Sequence, residues 1–193
     1  MRLIVFDTET TDLFPGQICQ LAYVIADGER VEGKNFFFCV DEMSEGSQEI
    51  HGFSREALAG LSCGRWFEDD AEEVLRDFDA AGLLVGHNVA FDERFLRAEL
   101  RRAGREFRKV PTLCTMNFAS GLMNMRRKVV TGRPKPPKLG ELAQYYGVTD
   151  EMAAEGAAQW FGTSGALHDA RFDTAMTWLC LRAALANGDL RLS

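Results

Sequence analysis

Two acidic side chains, Asp7 and Glu9, follow directly after the first apolar run of the chain, residues 3–6. Residues i and i+2 of an extended strand point to the same side, so both carboxylates are expected to project together from the end of this strand. Adjacent carboxylates raise one another's pKa unless a cation lies between them, and such oxygen ligands suit Mg²⁺ or Mn²⁺. The pair also fits a simple polar strand end, so it indicates a metal site only together with further acids.

Asp92 is a second acidic candidate, because it stands in the stretch GHNVAFD (86–92), where an apolar run ends and a helical pattern begins. Asn88 can cap that helix, and Asp92 then falls in or near its first turn, where the helix dipole favours negative charge. Ordinary helices carry an acid at this place as well. Asp92 alone therefore fits both a site and a structural role.

The third stretch, LHDARFDT (167–174), combines an imidazole with two more carboxylates. If Asp169 caps the last helix, His168 lies on the preceding loop and Asp173 in the early turns, so both side chains can reach one cavity. A histidine with a pKa of about 6.5 can take a proton from water at neutral pH, and a carboxylate can hold a metal ion. His51 stands in a predicted His-Gly-Phe turn, where we expect a substrate contact or a structural role.

Hydrophobic periodicity predicts the elements that would position these residues. Five apolar runs predict strands at 3–6, 18–25, 35–40, 83–86 and 110–114. Apolar residues at helical spacing predict helices around 67–78, 91–100, 139–146 and 170–186. The Asp27-Gly28 turn indicates antiparallel pairing of the second and third strands. Three strands followed by alternating helices and strands predict an α/β fold with a mixed five-stranded sheet flanked by helices.

Composition predicts one soluble domain over residues 1–193, with 46% hydrophobic and 26% charged residues. We find no apolar stretch near the roughly 18 to 20 residues of a membrane span, and the first apolar run is shorter than the roughly 7 to 15 residues of a signal-peptide core. The five cysteines form no C-x-x-C pair, which argues against a disulfide framework and a zinc site. A cytoplasmic protein without a membrane partner is expected.

The net charge of −7 is unevenly distributed. Residues 107–140 contain eight basic and no acidic side chains, and the rest of the chain carries 14 basic and 29 acidic ones. This asymmetry suits a protein that meets a polyanion on one face, although it also fits a solvated surface segment. Three prolines exclude a helix within 126–138, which is expected to be a basic loop, either a flap over the site or a linker.

Together these motifs resemble the DEDDh group of 3′→5′ exonucleases, which have a ribonuclease H-like fold. The group includes ribonuclease T and the proofreading epsilon subunit of bacterial replicative polymerases. The resemblance runs through FDTETT (6–11), GHNVAFD (86–92) and the spacing of His168 and Asp173, and HGFS (51–54) is similar to a loop of the family. It implies a metal-dependent hydrolase that releases 5′-mononucleotides from the 3′ end of nucleic acid.

The resemblance further implies two Mg²⁺ or Mn²⁺ ions about 4 Å apart. Asp7, Glu9 and Asp173 would hold the ion that binds the attacking water. Asp7 would also help to hold a second ion at the leaving 3′ oxygen, with Asp92 supporting that site directly or through water. His168 would act as the general base.

The resemblance also implies contacts to the terminal nucleotide, which we assign to Thr8, Thr10, Leu13, His51, Phe53, Asn88 and Phe91. Apolar members of this set would wedge or stack against any base, whereas Phe91 also fits core packing. The implied partner is a single-stranded or frayed 3′ end. DNA is favoured over RNA because the motifs most resemble the proofreading branch, and a polymerase or homodimer partner is left open.

Two positions depart from the family pattern. Asp12 stands where glycine is usual, and aspartate tolerates a left-handed backbone well enough for the turn to persist. A further carboxylate there would repel phosphate unless it faces solvent or recruits a metal. Arg171-Phe172 replaces a small apolar pair, and Arg171 fits either a phosphate contact or an exposed position.

Other functions fit parts of the pattern. A phosphatase that forms a phospho-aspartate also begins with an apolar strand and an Asp, but Glu9 and the His168/Asp173 pair have no place in its chemistry. A non-catalytic nucleic-acid-binding or polymerase-tethered module on the same fold would not need all five catalytic-type residues. An RNA-specific 3′→5′ exoribonuclease would differ in its contacts to the 2′ hydroxyl, which no motif here indicates.

Overall fold

The computed structural model describes residues 1–123, 135–163, 165 and 167–192. Within them five strands form one sheet: β1 (Leu3–Thr10), β2 (Ile18–Asp27), β3 (Arg30–Phe37), β4 (Leu83–Gly86) and β5 (Thr112–Cys114). Their order is β3-β2-β1-β4-β5. β1 pairs antiparallel with β2 and parallel with β4, the β2–β3 pair is antiparallel, and the β4–β5 pair is parallel. The predicted mixed five-stranded sheet is confirmed.

Helices surround this sheet in the described residues: α1 (Glu45–His51), α2 (Arg55–Leu61), α3 (Phe67–Asp79), α4 (Val89–Arg102), α5 (Thr115–Met123), α6 (Leu139–Tyr146), α7 (Asp150–Phe161) and α8 (Ala170–Ala186). The sequence pattern predicted α3, α4, α6 and α8, and it missed the others. Short helices such as α1 carry no buried residue, so they leave little apolar periodicity to detect.

Four strands differ from the expected boundaries, and of these β2 ends at Asp27 rather than at position 25. β1 continues to Thr10, because its pairing with β2 extends through the acids, so Asp7 and Glu9 lie within the strand rather than after it. β3 begins at Arg30 rather than at position 35, because a two-residue turn with Gly28 at φ 61° brings the chain straight back. β5 spans only Thr112–Cys114.

The two faces of β1 meet different helices, because successive side chains of a strand point to opposite sides. Ile4 and Phe6 belong to the core cluster that includes residues of α3 and α4. Leu3 and Val5 belong to a separate cluster on the other face, which includes residues of α8. Even-numbered residues of β1 therefore face α4, and odd-numbered residues face α8.

The predicted basic loop at 126–138 falls mostly outside the described residues, which resume at Lys135. Lys135 forms an ion pair with Glu141 at 2.6 Å, and the backbone oxygen of Pro137 accepts a hydrogen bond from Nε2 of His87 at 3.0 Å. The described end of the segment is thus fastened to α6 and to the end of β4.

None of the helices in the described part of the chain combines the length and apolar composition needed to cross a bilayer.

Candidate active site

Three carboxylates converge where β1 runs past α8. Asp7, Glu9 and Asp173 each offer one oxygen, and these oxygens lie within 4.8 Å of one another. Glu9 and Asp173 are buried, and Asp7 is half-buried. The structure thus brings together three of the four acids expected to bind metal.

The alternation of side chains along β1 explains which acid meets which helix. Asp7 and Glu9 have odd numbers and face α8, which carries Asp173 in its first turn. Thr8 faces α4 and meets Asp92, whose Oδ1 accepts hydrogen bonds from the Thr8 hydroxyl at 2.7 Å and from the Thr8 backbone N–H at 3.1 Å. Asp92 is therefore held at the same strand end, close enough for its charge to raise the pKa of Asp7.

Burial and mutual repulsion raise the pKa of every acid in this group. Burial raises the pKa of Asp7 well above its ordinary value, and the neighbouring charges of Asp92, Asp173 and Glu9 raise it further. Burial and the charge of Asp173 raise the pKa of Glu9 to about 9. Burial raises the pKa of Asp173 to about 7. Burial also raises the pKa of Asp92 to about 7, although hydrogen bonds from Thr8 work in the opposite direction.

This donor set fits a divalent cation. Buried like charges destabilise the ionised site, and a cation among them reverses that effect because it supplies the missing opposite charge. One oxygen of Asp173, Oδ1, is buried without a hydrogen-bond partner in the described structure. Hard carboxylate oxygens are the ligands that Mg²⁺ and Mn²⁺ prefer. Asp7, Glu9 and Asp173 are therefore suited to hold such an ion.

The start of α8 is fastened to the sheet by a buried glutamine. Gln20 of β2, which stands opposite Glu9, donates from Nε2 to Oδ1 of Asp169 at 3.0 Å, and its Oε1 accepts from the backbone N–H of Ala170 at 3.1 Å. Asp169 caps the helix as predicted, accepting from the backbone N–H of Arg171 at 3.0 Å. These bonds fix the first turn of α8, and with it the position of Asp173.

His168 lies just before this cap, on the loop where it was expected. Its backbone is left-handed, with φ 62°, and its side chain is exposed. Burial lowers the pKa of His51, and the charge of His168 lowers it further, so the two imidazoles lie near each other. His51 is the last residue of α1 rather than part of a turn, and its Nδ1 accepts from the backbone N–H of Phe53 at 3.1 Å.

Close packing at the end of β4 places α4 and its Asp92. A Cβ atom at Gly86 would lie 3.2 Å from the backbone oxygen of Phe6 and 3.2 Å from Cα of Val89, so a side chain there would push the helix away from β1. Asn88 then turns the chain with a left-handed backbone, φ 79°. The predicted side-chain cap by Asn88 is wrong, because its side chain makes no capping hydrogen bond in the described structure.

The remaining candidates for substrate contact differ in exposure. Leu13 is 76% exposed, and Asn88 is exposed at the start of α4. Phe53 is half-buried and stacks on His51, with ring centroids 5.3 Å apart. Thr10 is buried and donates its hydroxyl to the backbone oxygen of the loop at Asp12. Phe91 is half-buried and packs against the core, which agrees with the structural role considered for it.

The structure corrects the expectations for the two departures from the family pattern. The backbone of Asp12 does not have a positive φ, so the left-handed conformation expected there is wrong. Its carboxylate is exposed and accepts from the backbone N–H of Leu13 at 2.7 Å, which keeps it with its own loop. Arg171 is half-buried and forms an ion pair with Asp169 at 2.5 Å, so the exposed position is wrong as well.

Sequence reasoning missed Gln20, which is the residue that ties β2 to the start of α8. A signal was present in ICQLAYVIA (18–26), where a glutamine interrupts an otherwise largely apolar strand. Buried amides need hydrogen-bond partners, so such a residue marks a place where another element must supply polar groups. The identity of those partners depends on contacts across about 150 positions, which periodicity does not reveal.

Comparison with known proteins places the chain among nucleases. A family model described as exonuclease matches residues 4–177. The chain is 32% identical over 160 residues to a DNA polymerase III subunit epsilon-like protein of Rhodobacter capsulatus, covering 77% of this chain and 20% of that protein. It is 33% identical over 106 residues to the DNA polymerase III subunit epsilon of Rickettsia felis, covering 52% and 44%.

Solved structures show the same fold. The zinc-bound form of E. coli exonuclease I in complex with single-stranded DNA superposes with a TM-score of 0.74 at 17% identity, covering 96% of this chain and 40% of that chain. This likeness confirms the predicted ribonuclease H-like architecture. The chain spans less than half the length of each of these three proteins.

Proposed function

The chain belongs to the exonuclease family whose model it matches, and from this premise we propose that it is a divalent-metal-dependent 3′→5′ exonuclease. It would remove 5′-mononucleotides one at a time from the 3′ end of nucleic acid. The observation that carries this proposal is the convergence of Asp7, Glu9 and Asp173, three acids with raised pKa whose oxygens lie within 4.8 Å of one another.

The carboxylates would hold the metal ions and thereby the substrate phosphate. Asp7, Glu9 and Asp173 would bind one cation, and Asp7, supported by Asp92, would contribute to a second. Bound divalent cations supply positive charge for the phosphate and increase the acidity of the attacking water. Thr8 would orient Asp92 through the two hydrogen bonds that it donates, because a carboxylate fixed in this way keeps one oxygen turned toward the site.

His168 would act as the general base. Its exposed imidazole would accept a proton from the attacking water. The water oxygen would then bond to phosphorus while the bond from phosphorus to the 3′ oxygen of the preceding nucleotide breaks. The leaving oxygen would take a proton from solvent, so the products are a 5′-mononucleotide and a strand shortened by one residue.

The exposed residues around the acids would hold the terminal nucleotide. Leu13 is 76% exposed, and the stacked pair of His51 and Phe53 offers an aromatic surface near His168. Apolar and aromatic surfaces of this kind bind bases without reading their edges. Asn88 would add a polar contact from the start of α4.

We propose single-stranded DNA as the preferred substrate. A solved structure with the same fold is a complex with single-stranded DNA. Of the two relatives reported above, one is named a DNA polymerase III subunit epsilon and the other an epsilon-like protein. These names support DNA over RNA, and they support a polymerase as partner.

The test is digestion of four oligonucleotides: single-stranded and 3′-recessed, each as DNA and as RNA. We expect mononucleotide release in Mg²⁺ and none in EDTA, with the highest rate on single-stranded DNA. A higher rate on RNA would show that RNA is the preferred substrate, and the proposed reaction would stay the same. If the protein binds the oligonucleotides but hydrolyses none of the four, the proposed enzymatic activity is wrong and the protein is a non-catalytic binding module.

A further inference from the structure

A positively charged groove runs along the outer face of α4, beginning at the loop that follows β1. It has a volume of about 320 Å³, and its lining includes Phe14, Glu93, Arg94, Arg97 and Arg101. Three arginines thus face one glutamate, in a chain whose net charge is −7. A local positive surface on an acidic protein selects for anionic partners, because clefts of one sign focus the electrostatic potential.

Phe14 and Arg94 form the first part of this groove. The guanidinium of Arg94 lies 4.5 Å from the centroid of the Phe14 ring, and Phe14 packs edge-on against the buried Phe95 with centroids 5.5 Å apart. Phe14 is nevertheless 45% exposed. A guanidinium stacked on an aromatic ring keeps its N–H donors in the plane, where they can contact phosphate.

The other two arginines differ in how far they are engaged. Arg97 donates to Glu93 at 2.7 Å and to the backbone oxygen of Phe107 at 2.8 Å, so these N–H donors are already used within the protein. Arg101 is exposed, and it forms no ion pair within the described residues. Arg94 and Arg101 are seven residues apart, which places them on the same face of α4 at a distance of about 10 Å along its axis.

The groove is formed by elements that also carry or adjoin the candidate active site. The same helix bears Asp92 on its buried face, and the loop containing Phe14 follows directly after the strand that bears Asp7 and Glu9. A polymer that ends at the acids can therefore continue over Phe14 and along α4. This position beside the acids favours the substrate strand, rather than an acidic protein, as the anionic partner of the groove.

We propose that this groove binds the phosphate backbone of the substrate strand on the 5′ side of the terminal nucleotide. Arg94 and Arg101 contact successive parts of the backbone, and Phe14 supports Arg94. The inference rests on the proposed exonuclease function, and it adds a binding surface that determines how well long strands are held relative to short ones. A dinucleotide without a 5′ phosphate carries only the scissile phosphate, so it has no further phosphate to offer to Arg94 and Arg101.

The test compares wild type with the double variant Arg94→Gln/Arg101→Gln. The matched control is Arg30→Gln, because Arg30 is exposed at the β2–β3 turn, at the opposite end of β2 from the site. We expect the KM for a long single strand to rise by about fivefold or more. The negative slope of log affinity against log salt should become shallower by about 1.4, since each lost contact to a single strand accounts for about 0.7. The KM for a dinucleotide and the behaviour of the control should stay at wild-type values.

Unchanged KM and salt slope on the long strand would overturn the proposal, and so would an equal loss on the dinucleotide, which would indicate damage to the site. If wild type hydrolyses neither substrate, the exonuclease function fails while the groove is still judged by binding. In that case, fluorescence anisotropy with a labelled long strand must show weaker binding by the double variant, and equal binding would overturn the groove as well.

Discussion

The side-chain hydroxyl of Thr8 donates a hydrogen bond to Oδ1 of Asp92 at 2.7 Å, across 84 positions of sequence. The bond joins the central strand to the start of α4, and it connects two motifs that each carry candidate metal ligands. Thr8 thereby holds Asp92 at the strand end that also carries Asp7 and Glu9, where the charge of Asp92 raises the pKa of Asp7. The middle residue of the Asp-Thr-Glu triplet is thus structurally engaged rather than a spacer.

Thr8→Val should weaken metal-dependent activity without unfolding the chain. Valine keeps the shape and the backbone N–H but leaves Asp92 with one hydrogen bond fewer. Loss of a residue that orients a metal ligand typically costs about 10- to 100-fold in metal affinity or activity. We expect the Mg²⁺ concentration for half-maximal activity to rise accordingly. Thr112→Val, at an exposed position of β5, serves as the control, and an unchanged Mg²⁺ requirement in Thr8→Val would show that this bond does not orient Asp92.

Asp7→Asn should stabilise the metal-free protein. Burial and four neighbouring acids oppose ionisation of Asp7, so removing its charge relieves repulsion. We expect a higher melting temperature in EDTA, by about 2–4 °C for each kcal/mol gained in a domain of this size. The same variant should lose the stabilisation that Mg²⁺ gives to wild type. Asp27→Asn removes an exposed charge and should change neither value, and a lower melting temperature for Asp7→Asn in EDTA would contradict the repulsion.

The stability of the metal-free protein should fall as pH rises. The pKa of Glu9 is raised from 4.5 to about 9, and that of Asp173 from 3.8 to about 7. Between about pH 4 and 9 the folded chain therefore holds more protons than the unfolded chain at these groups, so they make the free energy of unfolding decrease with increasing pH.

Urea unfolding in EDTA at several values within that range measures this slope. Glu9→Gln should make the slope less negative than in wild type, because glutamine does not titrate. A slope in Glu9→Gln equal to that of wild type would show that Glu9 titrates normally in the folded state.

Gln20→Met should loosen the start of α8. Methionine has a similar shape but leaves the backbone N–H of Ala170 without its partner, and an unsatisfied buried group costs about 1–3 kcal/mol. We expect that decrease in the free energy of unfolding, together with a lower kcat, because Asp173 lies one turn beyond the cap. Gln144→Met, on an exposed position of α6, is the matched control. Full stability and activity in Gln20→Met would mean that Asp169 alone fixes the helix.

Hydrophobic patterning sufficed for the mixed sheet and for the long helices α3, α4 and α8, because these elements bury regular apolar faces. It misplaced the bounds of β3, where the residues are only partly buried and the turn, rather than the side chains, sets the start of the strand. The motifs identified Asp7, Glu9 and Asp173, whose oxygens lie within 4.8 Å of one another in the structure. They did not identify Gln20 or the bond between Thr8 and Asp92, since those contacts depend on how α4 and α8 pack against the sheet.

The most direct test of the central claim is the product pattern from a 5′-labelled single-stranded DNA in Mg²⁺. If the carboxylates of β1 and α8 form a 3′→5′ exonuclease site, wild type and Asp27→Asn will shorten the labelled strand one nucleotide at a time and release 5′-mononucleotides. His168→Asn, which retains a residue tolerant of left-handed backbone, should be slower by about 10²- to 10⁴-fold. Asp173→Asn should be inactive while remaining folded. Wild-type rates in Asp173→Asn, or label released first from the 5′ end, would contradict the account.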